Sequence, residues 1–376
     1  MAIMYSRRVP ATPCDNWHMV AQASPLTRYL FAVYTLLVIY GSLHPFSGWT
    51  DRGVAPLAFL WAHWPRYVTA FDLGANVVAY LPFGLLTALA LHPLLRGALA
   101  VIMAACGGVL LSIALESVQT YLPARIPSNL DVLSNGAGAL IGALAGALWA
   151  PTLLQNSPPL RLRQRWFTSG RHTDLGLTLL GLWLFTQLDP ETLLFGVGDL
   201  RDLFHASPAL LYPADVFIRI EAAVAACNLV AAALFAAALI MPGQPVRTLL
   251  AAMLACALVV RALAFSVLFN PSAVLAWMTP GALIGIAAGL LIAVAAVALP
   301  RPAKLAFAGM ALMAATVLVN IAPANPYLAQ ALQVWPQGNF LNFNGLTHLV
   351  SSLWPFAAMA YLLLVATGRQ ESDASS

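Results

Sequence analysis

Carboxyl and amide side chains recur in pairs in the first 150 residues, three or four positions apart. The pairs are Asp72 with Asn76, Glu116 with Gln119, and Asp131 with Asn135. This spacing places both members of a pair on the same face of an α-helix. Arg125 lies between the second pair and the third. If the three helices are neighbours, the set forms one polar cluster at one end of a helix bundle.

The cluster is suited to two kinds of chemistry. A buried carboxyl group can stay protonated and act as a general acid beside an ionised one that acts as a base. The candidates for such catalysis are Asp72, Glu116 and Asp131. Together with these carboxylates, the amides and the guanidinium group could bind a headgroup, a phosphate or a cation. The candidates for substrate binding are Asn76, Gln119, Arg125 and Asn135.

A structural role for the same residues is the alternative. Arg125 would then neutralise Asp131 or Glu116, and the amides would satisfy helix ends. Asp131 follows Ser128-Asn129 at a predicted helix start, where a carboxylate complements the helix dipole. The sequence alone does not decide between a functional site and a structural role for these residues.

The composition shows where these residues must lie. The chain has 376 residues, of which 61% are hydrophobic and only 9% charged. A soluble domain carries about 25% charged residues, so a soluble enzyme and a disordered protein are both excluded. The net charge of +4 comes from basic residues that form no stripe or patch, which argues against a nucleic-acid partner. The composition therefore predicts a membrane protein with lipids as partners.

A spanning helix needs about 20 mostly apolar residues, and ten segments meet this requirement. Their approximate limits are 26–44, 73–92, 97–121, 132–150, 174–193, 214–241, 247–269, 273–299, 305–322 and 346–367. The fold class predicted is an all-α, polytopic bundle of about ten transmembrane helices. The aromatic stretches 53–70 and 326–343 are interpreted as interfacial or re-entrant.

The distribution of Lys and Arg predicts the orientation. With the N-terminus inside, twelve of these residues fall in inner segments and four in outer segments. Cytoplasmic segments carry the excess of positive charge, so both termini are predicted to be cytoplasmic. The polar cluster then faces outward.

A basic segment divides the chain into two membrane parts. The predicted order is a cytoplasmic N-terminal segment, a four-helix domain, a basic cytoplasmic linker, a six-helix domain and a cytoplasmic tail. Their limits are 1–25, 26–150, 151–173, 174–367 and 368–376. The ends of the first and fifth apolar segments resemble each other, since Leu43-His44-Pro45 is echoed by Leu188-Asp189-Pro190. Chance matching at proline-rich helix ends is favoured over a duplication.

The fourth apolar segment carries glycine at every fourth position. Gly138, Gly142 and Gly146 lie on one helix face, close to Asp131 and Asn135. Small residues let helix backbones approach closely. This pattern predicts packing within the bundle rather than dimerisation.

Two charges in the second part lie at membrane depth. Glu221 in the sixth segment and Arg261 in the seventh are predicted to share a level, about 10–12 Å below the outer boundary. They are interpreted as a structural ion pair between neighbouring helices. The alternative is a transport pathway, for which Gly281 and Gly285 after Pro280 would loosen a helix.

The short motifs of metal and cofactor enzymes do not occur. The sequence has no HExxH, GxSxG, Walker A or GxGxxG pattern, and its four cysteines form no CxxC pair. We therefore expect no cofactor and no metal. Whether the protein is an enzyme stays open at this point.

The order of the polar motifs resembles the VanZ-like membrane protein family. The matching stretches are Tyr40-Gly41-Ser42-Leu43-His44-Pro45-Phe46, Asp72-x3-Asn76-x5-Pro82-Phe83-Gly84, Glu116-x2-Gln119, Arg125, and Asp131-x3-Asn135-x-Ala137-Gly138 with Gly142. The resemblance covers about residues 26–150. It implies a membrane domain of four to five helices in the cell envelope, named for a glycopeptide-resistance protein, but it brings no agreed reaction.

The polar cluster and the family resemblance together predict a cell-envelope protein in the bacterial plasma (inner) membrane. Its outward-facing polar site would bind or modify a lipid-linked or polar-headgroup substrate, such as an envelope precursor, and influence glycopeptide-type antibiotic resistance. The alternatives are a secondary transporter that uses the buried carboxylates and Arg261, and a non-catalytic membrane scaffold.

Overall fold

The computed structural model describes residues 25–65, 68–92, 94–156, 158–201, 213–268, 274–322 and 341–374. Within these ranges the chain forms eleven α-helices, and its only extended pairing is a single bridge between Phe167 and Ile240. The helices are α1 (Pro25–Leu43), α2 (Ala70–Leu91), α3 (Gly97–Gln119), α4 (Asn129–Pro151), α5 (Pro158–Trp166), α6 (Arg171–Thr186), α7 (Ala214–Leu239), α8 (Val246–Leu268), α9 (Pro280–Ala296), α10 (Arg301–Ile321) and α11 (Leu341–Ala374). The predicted all-α class is confirmed.

Each of the ten predicted apolar segments overlaps one of these helices. Eight helices are long and apolar enough to cross a membrane, namely α1, α2, α3, α4, α7, α8, α10 and α11. Helices α6 and α9 are shorter, with 16 and 17 residues. The protein is therefore a multi-pass membrane protein. The sidedness of its termini stays a prediction.

The glycine face of α4 packs against α2 at very close range. A Cβ atom added to Gly138 would overlap the carbonyl group of Val77, and one added to Gly142 would overlap that of Leu81. Only hydrogen side chains permit this approach of two backbones. The prediction that the glycines serve packing inside the bundle is confirmed.

Helix α7 is the buried centre of the C-terminal part. It packs against α9 and α10 and also contacts α6 and α8. Its partner α9 again turns glycines toward it, because Cβ atoms on Gly281, Gly285 and Gly289 would collide with α7. Bulky side chains fill the space on the other sides of α7, among them Trp183 of α6 and Trp354 of α11.

The basic segment between the two parts is helical and docked. Arg163 of α5 forms an ion pair with the buried carboxylate of Asp174 in the first turn of α6. The carbonyl oxygen of Trp166 accepts a 2.9 Å hydrogen bond from the amide of Met241, just after α7. These contacts fasten the end of α5 to the C-terminal part.

The predicted interfacial stretches are described only in part. In the first, residues 58–61 form a short 3-10 turn in which Trp61 is exposed. Most of 326–343 lies outside the described residues. Its last residues, from Leu341, begin α11, and Phe343 there contacts the ring of Phe185 on α6.

Candidate functional site

Asp72 marks the start of α2 and is exposed. Thr69 and Asp72 form a capping box, in which the Thr69 hydroxyl accepts from the Asp72 amide and the Asp72 carboxylate accepts from the Thr69 amide. Such a box satisfies the free amides of a helix start. Asp72 therefore has a structural role, and its side chain also remains accessible at the surface.

Asn76 and Asp131 join α2 to α4 through their side chains. The amide of Asn76 donates a 3.0 Å hydrogen bond to Oδ1 of Asp131, and both residues are half-buried. Asp72 lies near enough for its charge to act on Asp131. The three residues form an acidic, partly open rim at one end of the bundle.

Glu116 lies deeper in the helix bundle than this rim and is buried, with 4% of its surface exposed. Its Oε2 accepts a 2.8 Å hydrogen bond from the backbone amide of Ser128, the N-cap of α4. The charges of Asp131 and Arg125 both act on Glu116. The Glu116 side chain on α3 thus forms a direct hydrogen bond with the start of α4.

Arg125 and Gln119 both bind the end of α1. The Arg125 guanidinium donates to the His44 carbonyl oxygen at 2.6 Å and to that of Gly41 at 3.3 Å. The Gln119 amide donates to the Ser42 carbonyl oxygen at 2.9 Å. These carbonyls are ones that a helix end leaves without an intrahelical partner. Burial lowers the pKa of Arg125, and the negative charge of Glu116 opposes this effect.

Asn135 belongs to a deeper polar layer. Its Nδ2 donates a 2.9 Å hydrogen bond to Ser112 on α3, and its buried Oδ1 has no hydrogen-bond partner among the described residues. The Tyr80 hydroxyl is a further hydrogen-bond neighbour of Ser112. Sequence reasoning missed Ser112 and Tyr80. Their positions, four residues before Glu116 and four after Asn76, were the available signal.

The structure therefore brings the predicted cluster together at one end of α2, α3 and α4. Two layers result: an open rim of Asp72, Asn76 and Asp131, and a closed layer that contains Glu116 and Asn135. Only the rim can meet a substrate without movement. The closed layer can fix the positions of the rim side chains, and its charge can influence the protonation of the rim carboxylates. Among the described residues, no group of three or more His, Cys, Asp or Glu side chains could hold a metal ion.

The predicted ion pair between Glu221 and Arg261 is wrong. Both residues are 2% exposed, but each has other partners, and the ion pairs found among the described residues do not include this one. Oε1 of Glu221 accepts a 2.5 Å hydrogen bond from the Thr279 hydroxyl, at the N-cap of α9. Helix α9 packs closely on α7 and takes the place that the prediction assigned to α8.

Arg261 reaches instead to the turn after α6. Its guanidinium donates to the carbonyl oxygens of Asp189 and Thr192 and lies 5.2 Å from the centre of the Phe265 ring. The Asp189 carboxylate supplies the nearby negative charge. Arg261 thereby ties α8 to the end of α6.

The comparison with known families identifies the part that holds the polar cluster. Residues 16–150 match the VanZ/LLP1 family. No curated protein and no solved structure matches the chain. The match covers the helices that carry Asp72, Glu116 and Asp131 and ends where α4 ends. The N-terminal part of this protein is thus a VanZ-like membrane segment, as its motifs predicted.

Proposed function

We propose that this protein is a VanZ-like component of the bacterial plasma membrane whose polar cluster faces outward. The cluster binds, and in the stronger form of the proposal modifies, a lipid-linked or polar-headgroup substrate of the cell envelope. Through this substrate the protein influences resistance to glycopeptide-type agents. The VanZ/LLP1 match supports the envelope assignment.

One observation carries the proposal. The hydrogen bond between Asn76 and Asp131 lies at a partly open helix end, with a second carboxylate, Asp72, close by and a third, Glu116, beneath. Gathering carboxylates at one place costs electrostatic free energy. A headgroup that carries hydroxyl or ammonium donors would be recognised by such a rim.

The test compares phenotype with abundance. Glu116→Gln and Asp131→Asn nearly preserve volume and keep hydrogen-bonding atoms, so their effect on packing is small. We expect both to abolish the resistance phenotype at unchanged protein abundance. Arg52→Gln is the control, because Arg52 is exposed and lies outside the cluster. Full activity of both cluster variants at normal abundance would refute the proposal.

A membrane scaffold is the second candidate, and specific contacts favour it. Arg125 and Gln119 bind backbone carbonyls at the end of α1, and Glu116 binds the start of α4. If these contacts are the whole purpose of the cluster, phenotype and abundance will fall together in Arg125→Gln and in Glu116→Gln.

A further inference from the structure

The basic segment between the two membrane parts has a free side, opposite the contacts that dock it. Helix α5 has nine residues, less than half of the roughly 20 that a spanning helix needs. A short π-helical turn, Thr152–Asn156, connects it to the end of the spanning helix α4. Its last residue, Trp166, binds Met241 just after α7. Helix α5 therefore runs across the end of the bundle, at the level where α4 and α7 end.

The two faces of α5 have different surroundings. On the inner face, half-buried Arg163 forms its ion pair with Asp174 of α6. The opposite face carries Arg161, Leu162 and Arg165, which are all exposed. The two arginines are four residues apart, so they lie on the same side of the helix as the leucine. Because the inner ion pair fixes the rotation of α5, this outer face is held toward the surroundings.

The outer face adds to an excess of positive charge at this end of the bundle. None of the three ion pairs among the described residues involves Arg161 or Arg165. Arg171 at the start of α6 and Arg247 at the start of α8 are exposed as well, and neither belongs to one of these pairs. The carboxylate of Asp174 is already bound by Arg163. An anionic partner would supply the missing negative charge.

Apolar side chains accompany these charges. Leu162 is 43% exposed between the two arginines, and Leu148 and Trp149 near the end of α4 are exposed too. Tryptophan is enriched at the level of the lipid headgroups. Arginines beside exposed apolar side chains fit the boundary between lipid phosphates and acyl chains. The phosphate backbone of a nucleic acid offers no such apolar layer.

We propose that the outer face of α5 binds anionic phospholipids of the membrane in which the protein lies. Arg161 and Arg165 bind the phosphate groups, and Leu162 contacts the upper part of the acyl chains. Zwitterionic lipids also carry a phosphate, but their ammonium group cancels its charge, so lipids with a net negative charge are preferred. Bound lipid thus holds the connection between the two membrane parts at the membrane surface.

The test uses the full chain in nanodiscs made of equal parts of phosphatidylcholine and phosphatidylglycerol. Native mass spectrometry counts how many molecules of each lipid the protein retains. The test variant combines Arg161→Gln with Arg165→Gln. The matched control combines Arg52→Gln with Arg219→Gln, which removes the same charge from two exposed arginines at the opposite end of the bundle.

We expect the wild-type chain to retain phosphatidylglycerol in preference to phosphatidylcholine. The test variant should lose about tenfold in this preference, because each arginine near an anionic surface contributes to the attraction. The control should retain both lipids as the wild type does. Arg165→Gln alone should give an intermediate loss, and it decides the question if the double variant does not fold.

Three results would overturn the inference. They are equal retention of the two lipids by the wild type, an equal loss of preference in control and test variant, and an undiminished preference in the test variant. Displacement of phosphatidylglycerol by single-stranded RNA in detergent would also do so, since it would assign the face to a soluble polyanion. The polar cluster lies at the other end of α4, so Glu116→Gln and Asp131→Asn leave this face intact. The outcome is therefore independent of the function proposed above.

Discussion

The side-chain amide of Asn76 on α2 lies 3.0 Å from Oδ1 of Asp131 on α4, in the outermost layer of the polar cluster. Below this pair the two helices touch through Gly138 and Gly142, so their separation is set by backbone contact rather than by side chains. The close contact at these glycines therefore fixes the relative positions of Asn76 and Asp131. Changes at the bond and changes at the glycines should have different consequences.

Loss of the Asn76 amide should destabilise the protein modestly. Asn76→Leu leaves the half-buried carboxylate of Asp131 without its donor, which costs about 1–2 kcal/mol. Asp131→Asn keeps an acceptor for Asn76 and should cost clearly less. Thermal unfolding of the purified variants in one detergent measures both. A melting temperature of Asn76→Leu equal to that of the wild type would show that the bond contributes nothing.

A single methyl group at the α2–α4 contact should be harmful. Gly142→Ala places a Cβ against the carbonyl group of Leu81, so we expect a loss of about 1–3 kcal/mol from overpacking. Gly107→Ala on α3 is the control, because nothing lies within 4 Å of its added Cβ. There the higher helix propensity of Ala should leave stability unchanged or raise it. Equal effects of the two substitutions would contradict the close approach.

Glu221 and Arg261 should behave as independent residues. Arg261→Met removes the donor to the carbonyl oxygens of Asp189 and Thr192, which costs about 1–3 kcal/mol for each buried oxygen left without a donor. Glu221→Gln keeps an acceptor for Thr279 and should cost less. In a double-mutant cycle the two losses should add to within about 0.5 kcal/mol. Rescue of one variant by the other would mean that the two side chains interact after all.

Thiol labelling tests the orientation of the bundle. Ser47 and Ser169 are both exposed, the first just after α1 and the second just before α6. In intact cells Ser47→Cys should react with an impermeant maleimide, whereas Ser169→Cys should react only after permeabilisation. The variants are made in a chain whose four cysteines are replaced by Ser or Ala. The reverse pattern would place the polar cluster on the cytoplasmic side and exclude an envelope substrate.

The sequence by itself determined the class of protein and the position of each apolar segment. Long apolar runs must become helices, because a bilayer offers no partner for free backbone groups. The four-residue glycine spacing of Gly138 and Gly142 likewise implied a close contact, and the polar pairs implied a common helix end. These conclusions needed only local periodicity and composition.

Only the tertiary structure decided which groups meet. Glu221 and Arg261 lie in consecutive segments, which suggested a pair, but α9 packs on α7 and offers Thr279 to the carboxylate. Arg125 was predicted to bind substrate or, in the structural alternative, to neutralise a carboxylate, and the structure shows its guanidinium bound to the carbonyls at the end of α1. Every residue has a backbone carbonyl, so a sequence does not show which of them will accept a hydrogen bond from an arginine. Which helices become neighbours in a bundle depends on packing over the whole chain and not only on the order of the helices in the sequence.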